Sequence, residues 1–214
     1  KKLHDDWLVD GFIDASLGRM IKRYYRPGDT VLDIGCGDMS VGRYFPPEVN
    51  YNVLDIMFSE FKLTRAMREN PKLNPVIASA ESIPVADSSA SFILTAQTLT
   101  FIDDIDAVLS EIARISTPDA RLVVSFSNEH CTKYQRKGDN PETIHKWRYD
   151  EFVSLMESAG FRLLERHMKG SWIPLPNWGW LKTTSYHLPI ARRREEQNVN
   201  FFYVFERNAN PHNS

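Results

Sequence analysis

The stretch that most constrains the fold of this chain is Thr30–Phe45, which reads TVLDIGCGDMSVGRYF. Its apolar start, Val31–Ile34, is typical of a short buried strand. Gly35 and Gly37 end that run, and a helical pattern begins near Ser40, which we expect to cap the helix. A strand, a glycine turn and a helix in this order can present backbone amides to a nucleotide-like ligand. The glycines allow the turn and the close approach of such a ligand.

Two acidic residues and a further apolar run strengthen this interpretation. Asp33 stands inside the first strand, and Asp55 closes the next apolar run, YNVLD. A third run, PVIAS, leads into Ala80-Glu81-Ser82-Ile83-Pro84. Strands that alternate with helices in this way predict a parallel sheet whose strand ends share one rim.

These residues resemble the class I S-adenosylmethionine-dependent methyltransferases, and specifically the small-molecule branch that includes the ubiquinone and menaquinone biosynthesis enzymes. The resemblance covers about residues 31–166. Besides the Asp55 strand end, its motifs are LDIGCG, AESIPVADSSASF, DDIDAVLSEIARISTPDARLVVS and RYDEFVSLMESAGF. It implies an α/β fold: a Rossmann-like seven-stranded, mostly parallel sheet with helices on both faces and an antiparallel last strand.

The resemblance also implies S-adenosyl-L-methionine as the cofactor and S-adenosyl-L-homocysteine as its product. Asp33 would lie near the methionine amine, and Gly35 and Gly37 would admit the backbone to the ligand. Asp55 would accept hydrogen bonds from both ribose hydroxyls, a task suited to a carboxylate. The remaining cofactor contacts are expected at Ile56, Ser79, Ala80 and Gln97.

Met39 departs from the family pattern, which usually has glycine at this position. Its side chain could pack over the cofactor or obstruct it. A dinucleotide pocket is a weaker alternative, since its fingerprint would want a third glycine at Ser40. A plain strand-to-helix turn without a ligand is the remaining interpretation.

The length of 214 residues and 42% hydrophobic content predict a single domain, 1–214. We divide it into a helical cap over 1–28, a cofactor-binding core over 29–168, a substrate lid over 169–200 and a last strand over 201–208. The helix of the cap either roofs the cofactor or merely covers the sheet edge. The net charge of −2 gives no reason to expect nucleic acid as a partner. Two cysteines and the lack of a long apolar run predict a cytoplasmic protein without a transmembrane segment.

Methyl transfer to a hydroxyl or protonated amine needs a group that takes up a proton. We predict His130, directly after the fifth strand, as the first candidate base and His145 as the second. Glu129 is the carboxylate alternative, and Asn128 in the same loop is expected to contact the substrate.

The ubiquinone O-methyltransferases carry two glutamates and a histidine associated with metal after strand four. The matching positions here are Gln97, Thr100 and Phe101, so we predict no metal.

The connection over 170–200 is rich in tryptophan, and loops of this length in compact domains are usually functional or disordered. We expect Trp172 and Trp178 to contact an aromatic or extended apolar acceptor, and Trp180 to be a packing residue. A small satellite core is the alternative.

The sequence thus predicts methyl transfer to oxygen or nitrogen of a small molecule. The rivals are a non-catalytic cofactor-binding or scaffold protein and, with less support, an RNA or protein methyltransferase. The oligomeric state stays open.

Overall fold

The computed structural model describes residues 6–138, 140–174, 185–188 and 193–208, and side chains within 13–135, 138, 140–171 and 193–208. The strands are β1 Val31–Ile34, β2 Tyr51–Asp55, β3 Leu73–Ile77, β4 Ala90–Ala96, β5 Ser116–Ser127, β6 Phe161–Pro174, β7 Ser185–Leu188 and β8 Asn198–Arg207. The helices are α1 Asp6–Tyr24, α2 Glu60–Glu69, α3 Ile105–Ile115, α4 Thr132–Lys137 and α5 Tyr149–Ser158. Short 3₁₀ turns lie at Ser40–Tyr44, Leu99–Phe101 and Glu195–Gln197.

All the described strands form one sheet in the order β3-β2-β1-β4-β5-β8-β6-β7. The first five in this order are parallel, and β8 and β6 continue the sheet in antiparallel pairing. This confirms the Rossmann-like fold expected from the sequence, including the antiparallel strand near the end of the chain. The short strand β7 pairs with β6 and extends the expected sheet at its edge.

The sheet separates two apolar layers. One layer packs α3 and α5 against the sheet through residues such as Val108, Ile112 and Phe152. The other packs α1 against the opposite face through Leu17 and Ile21. The buried residues of α3 form one apolar stripe, and the Asp104 carboxylate caps this helix by accepting the Ala107 N–H at 2.9 Å.

Local structure differs from expectation after the glycine turn. The segment beyond it is a 3₁₀ turn over Ser40–Tyr44, and Met39, not Ser40, occupies the N-cap position. The Ser40 hydroxyl instead donates to Asp14 on α1, at 3.3 Å. A tertiary partner has therefore taken the hydroxyl that the sequence pattern assigned to a cap.

The sixth strand is longer than expected. It runs to Pro174, into the range 169–200 that was assigned to the substrate lid. Its pairing partners explain the extension, because β8 supports it up to Ser171 and β7 beyond that point. The first part of the predicted lid, 169–174, is thus strand.

None of the helices in the described residues is long and apolar enough to cross a membrane.

Candidate functional site

The carboxyl ends of β1, β2, β3 and β4 meet at one rim, where two cavities open side by side. The first, here called the loop cavity, measures about 260 Å³, and the second, the strand-end cavity, about 230 Å³. Gly35 and Gln97 line both, so the two cavities meet at the glycine turn. The loop cavity is lined further by Ile13, Asp14, Leu17, Asp33, Cys36, Gly37, Asp38, Ser40, Val41 and Ala96. The strand-end cavity is lined further by Leu54, Asp55, Ile56, Ala78, Ser79, Ala80, Thr98, Phe101 and Ile102.

Gly35 is fixed in place from two sides. Its N–H donates to the Leu54 carbonyl at 2.7 Å, and its own carbonyl accepts the Thr98 hydroxyl at 3.0 Å. Its φ of +67° lies in the left-handed region, and a Cβ there would stand 2.2 Å from Thr98 Cγ2. Only glycine fits this position.

At position 37, in contrast, glycine is required only for its backbone conformation. Its φ is +50°, and a Cβ would meet no atom within 4 Å. Its N–H donates to Asp55 Oδ2 at 3.0 Å, which ties the glycine turn to the end of β2. The open side of Gly37 lets a ligand approach the backbone in the loop cavity.

Asp33 is a buried carboxylate at the base of the loop cavity, 2% exposed. Its Oδ2 accepts the Tyr51 hydroxyl, while its Oδ1 is buried with no hydrogen-bond partner among the described residues. Burial raises the pKa of Asp33 to about 7, and the Tyr51 hydrogen bond opposes that rise. A buried oxygen without a partner is costly, and a cationic amine in the cavity would satisfy it.

Asp55 stands half-buried in the wall of the strand-end cavity. Besides the Gly37 amide it accepts the Met57 N–H on Oδ1, at 3.4 Å. Each carboxylate oxygen has further acceptor capacity for a diol. The adjacent Ile56 is 70% exposed at the cavity wall, although it is apolar, and so offers a face for a flat ring.

Ser79 and Ala80 close the far side of the strand-end cavity. The Ser79 hydroxyl accepts the Glu81 N–H and donates to the Glu81 carboxylate, at 3.2 Å in both cases. Ala80 is buried. The resemblance assigns both residues to cofactor contacts, and that role stays a prediction.

Gln97 sits where the two cavities meet, in the left-handed conformation with φ of +57°. Its amide NH₂ donates to Ser125 Oγ at 3.3 Å, and its Oε1 accepts the Ser127 hydroxyl at 3.0 Å. The side chain thereby links the end of β4 to the end of β5.

Helix α1 forms a wall of the loop cavity through Ile13, Asp14 and Leu17. Asp14 is paired with Arg43 and accepts the Ser40 hydroxyl, and burial raises its pKa. Of the two roles considered for this helix, its position fits the roof over the ligand. Sequence reasoning missed Asp14; the signal available was its place on the helical face beside Ile13 and Leu17.

Met39 neither covers nor obstructs the two cavities. It is 4% exposed, packs in the apolar layer with Val41 and Phe45, and lines neither cavity. Its φ of +57° explains why glycine would be accommodated at this position. The side chain points into the core from a strained backbone.

The two candidate bases line neither cavity. His130 Nε2 lies 2.9 Å from the Lys146 carbonyl, and His145 Nε2 lies 2.8 Å from the Ile102 carbonyl. A carbonyl can only accept, so Nε2 carries the proton in each ring and Nδ1 is the basic nitrogen of the neutral form. The His145 ring stacks on Trp147 at 4.9 Å.

The remaining predicted site residues have varied surroundings. The Asn128 amide is fully buried and donates to the Glu195 and Asn198 carbonyls, at 3.0 and 2.9 Å. Glu129 accepts the Asn140 N–H at 3.3 Å.

Trp172 lies on the extended part of β6, opposite His187. Trp178 and Trp180 lie outside the described residues.

Within the described part of the chain, no group of three or more His, Cys, Asp or Glu side chains could hold a metal ion.

Comparison with known proteins adds sequence evidence. Residues 32–124 match the family model described as methyltransferase domain. An O-methyltransferase of Pyrenophora dematioidea is 26% identical over 157 residues, which cover 65% of this chain and 56% of the relative. The 24-methylenesterol C-methyltransferase 2 of Oryza sativa subsp. japonica is 26% identical over 73% of this chain and 48% of its own length. The chain thus spans about half the length of these curated relatives.

Among solved structures, the 1,6-didemethyltoxoflavin-N1-methyltransferase of Burkholderia thailandensis superposes with a TM-score of 0.67 at 14% identity. The alignment covers 95% of this chain and 81% of that one. That structure contains 1,6-didemethyltoxoflavin and S-adenosylhomocysteine. At this identity the likeness establishes the fold.

Proposed function

We propose that this protein transfers a methyl group from S-adenosylmethionine to a small molecule, because residues 32–124 match the methyltransferase domain model. The acceptor atom in this proposal is oxygen or nitrogen. The observation that carries it is the pair of joined cavities, with an unpartnered Asp33 oxygen in one and the Asp55 carboxylate in the other.

In this proposal the cofactor is divided between the two cavities. In the loop cavity, Asp33 would hold the methionine amine and the open side of Gly37 would face the amino-acid part. In the strand-end cavity, Asp55 would hold the ribose, and Ile56, Ser79 and Ala80 would surround the adenine. The junction at Gly35 and Gln97 would then lie near the sulfonium.

The bound cofactor supplies the electrophilic methyl group, so the chain has to align the acceptor and accept its proton. His130 and His145 are the proposed proton acceptors, each through Nδ1, and Glu129 is the carboxylate alternative. Asn128 fixes the segment that carries His130, because its Oδ1 accepts the His130 N–H at 3.0 Å. We propose Trp172 and Trp178 as acceptor contacts in a lid that continues from β6.

Substitution of Asp55 tests the cofactor part of this proposal. Asp55→Ala removes a charge-assisted pair of hydrogen bonds and should weaken S-adenosylmethionine binding by roughly 2–3 kcal/mol. Calorimetry on the wild type and the variant measures the difference. Asp106→Ala, which removes an exposed carboxylate on α3, is the matched control. Equal affinity in the Asp55 variant would overturn the assignment of this residue.

A non-catalytic cofactor-binding protein is the second candidate, because both candidate histidines already use Nε2 on backbone carbonyls. The two proposals separate in one assay. Release of S-adenosylhomocysteine that depends on an added hydroxyl or amine acceptor supports the enzyme. Tight cofactor binding without turnover over a broad acceptor panel supports the binding protein.

A further inference from the structure

A third cavity, of about 460 Å³, lies between α1 and β6, and none of its lining residues lines the two cavities of the candidate cofactor site. Arg19 and Arg23 reach it from the helix, and Glu165 and Lys169 reach it from the strand. We call it the α1–β6 cavity. Its lining contains three cationic side chains and one carboxylate, so its charge balance is positive at neutral pH.

The carboxylate is already neutralised. Glu165 pairs with Arg23 at 3.0 Å and accepts the Tyr24 hydroxyl at 2.8 Å. That leaves the other two cations, Arg19 and Lys169, which approach one neutral oxygen, the Ser16 hydroxyl, at 3.5 and 3.2 Å.

Neither of these two cations has an acidic partner among the described residues. The connection over 172–192 cannot supply one, since its sequence contains no aspartate or glutamate. Two like charges therefore approach the same hydroxyl, with Arg19 exposed and Lys169 half-buried. Burial and the Arg19 charge both lower the pKa of Lys169. This arrangement costs stability and is relieved by an anion between the two groups.

The rest of the cavity is suited to an organic group. Met20 of α1 supplies apolar wall, and the His167 ring lies on the same face of β6 as Glu165 and Lys169. The His167 ring stacks on Phe202 at 4.9 Å, and its Nε2 is buried without a hydrogen-bond partner in the described structure. A volume of about 460 Å³ also exceeds what a bare inorganic ion would fill.

We propose that the α1–β6 cavity binds a small organic anion, with a phosphate or carboxylate held by Arg19 and Lys169 and an apolar body against Met20 and the His167 ring. His167 Nε2 is placed to add a hydrogen bond to the same ligand. The site is separate from the candidate cofactor site, which α1 borders through Ile13 and Leu17 instead.

Phenyl phosphate is the probe for this site, because it joins a doubly charged group to a flat apolar body. Calorimetric titration should show binding to the wild type in the absence of cofactor. Lys169→Gln and Arg19→Gln should each weaken it at least tenfold. Lys62→Gln, which removes an exposed lysine on α2, should leave it unchanged and controls for net charge.

Two further measurements separate a binding role from a structural one. Without ligand, Lys169→Gln should melt at the wild-type temperature or above, because it removes one of two repelling charges. All variants should keep the wild-type affinity for S-adenosylhomocysteine, which makes the result independent of the methyl-transfer proposal.

Three outcomes would overturn the proposal. The first is no binding of phenyl phosphate by the wild type at millimolar concentration. The second is an equal loss of affinity in Lys62→Gln, which would point to general charge. The third is equal affinity for inorganic phosphate and phenyl phosphate, which would refute the organic ligand. We expect inorganic phosphate to bind at least tenfold more weakly. Benzoate in a parallel titration distinguishes a carboxylate from a phosphate group.

Discussion

Asp33 lowers the stability of the folded protein near neutral pH, because its carboxyl group is buried beside the loop cavity. Its pKa of about 7 in the folded state is well above the ordinary value of 3.8, because the side chain is buried. The folded protein therefore binds more protons than the unfolded chain between these two values. Stability should fall as pH rises through that window and then stay low.

Asp33→Asn tests this cost. The variant should be more stable than the wild type at pH 8, by roughly 2–4 kcal/mol, because the buried charge is gone. Near pH 4 the gain should vanish, since the wild-type carboxyl is then neutral. The same variant should bind S-adenosylmethionine more weakly, having lost the partner of the amine. Denaturant unfolding at both pH values measures stability, and a pH slope that persists in the variant would contradict the assignment.

Gly35 and Gly37 form a natural pair of test and control. Both have positive φ, but only at Gly35 would a Cβ strike a neighbour, Thr98. Gly35→Ala should lower stability by several kcal/mol or prevent folding, through overlap and backbone strain. Gly37→Ala should cost about 1 kcal/mol of stability and mainly weaken cofactor binding, because its methyl enters the ligand side of the loop.

Thermal melting and calorimetry on the two glycine variants separate these effects. A Gly37 variant that binds the cofactor as well as the wild type would show that the ligand does not approach this backbone.

Single residues of the site were predictable when local sequence carried the signal. Asp33, Gly35, Gly37 and Asp55 follow apolar runs at strand ends, so topology alone brings them to the rim. Asp14 was not predictable in this way, because its partners Ser40 and Arg43 come from a distant part of the chain. Only the folded packing of α1 on the turn unites them.

At the scale of elements, prediction succeeded where a strong period exists. The stripe of α3 spans three turns and is capped by Asp104. Helix α4 has only six residues, too few to show a period, and it was missed. The end of β6 was missed because Gly170 and Pro174 resemble loop residues, while the pairing with β7 that sustains the strand is a tertiary effect.

The 3₁₀ turn after the glycines depends on Met39, which anchors it in the core. Met39→Gly should relieve the left-handed backbone but lose a buried side chain, with a net loss of about 1–3 kcal/mol. Cofactor affinity should change little, because Met39 lines neither cavity. Thermal melting and calorimetry test both statements, and a large gain in affinity would show that Met39 does obstruct the ligand.

At the scale of the whole molecule, strand direction carries the end of β6 past the rim on which the candidate site lies. Ser127 at the end of β5 pairs with Asn200 of β8, and Ser171 of β6 pairs with Asn198. Residues of β6 beyond Ser171 therefore project past the rim on which the candidate site lies. The parallel direction of the first five strands followed from the alternation of strands and helices, whereas this projection required the antiparallel pairing of β6 and β8.

This geometry gives the lid proposal a direct test at Trp172, which stands on the projecting part of β6. Trp172→Ala should raise the KM for the acceptor or lower kcat, while S-adenosylmethionine affinity stays within about twofold. Trp178→Ala should behave in the same way. Trp180→Ala is the comparison, expected to lower the melting temperature with smaller effects on kinetics. Steady-state kinetics with calorimetry would decide. The lid assignment is wrong if Trp172→Ala and Trp178→Ala lose cofactor binding while folding normally, or if neither alters acceptor kinetics.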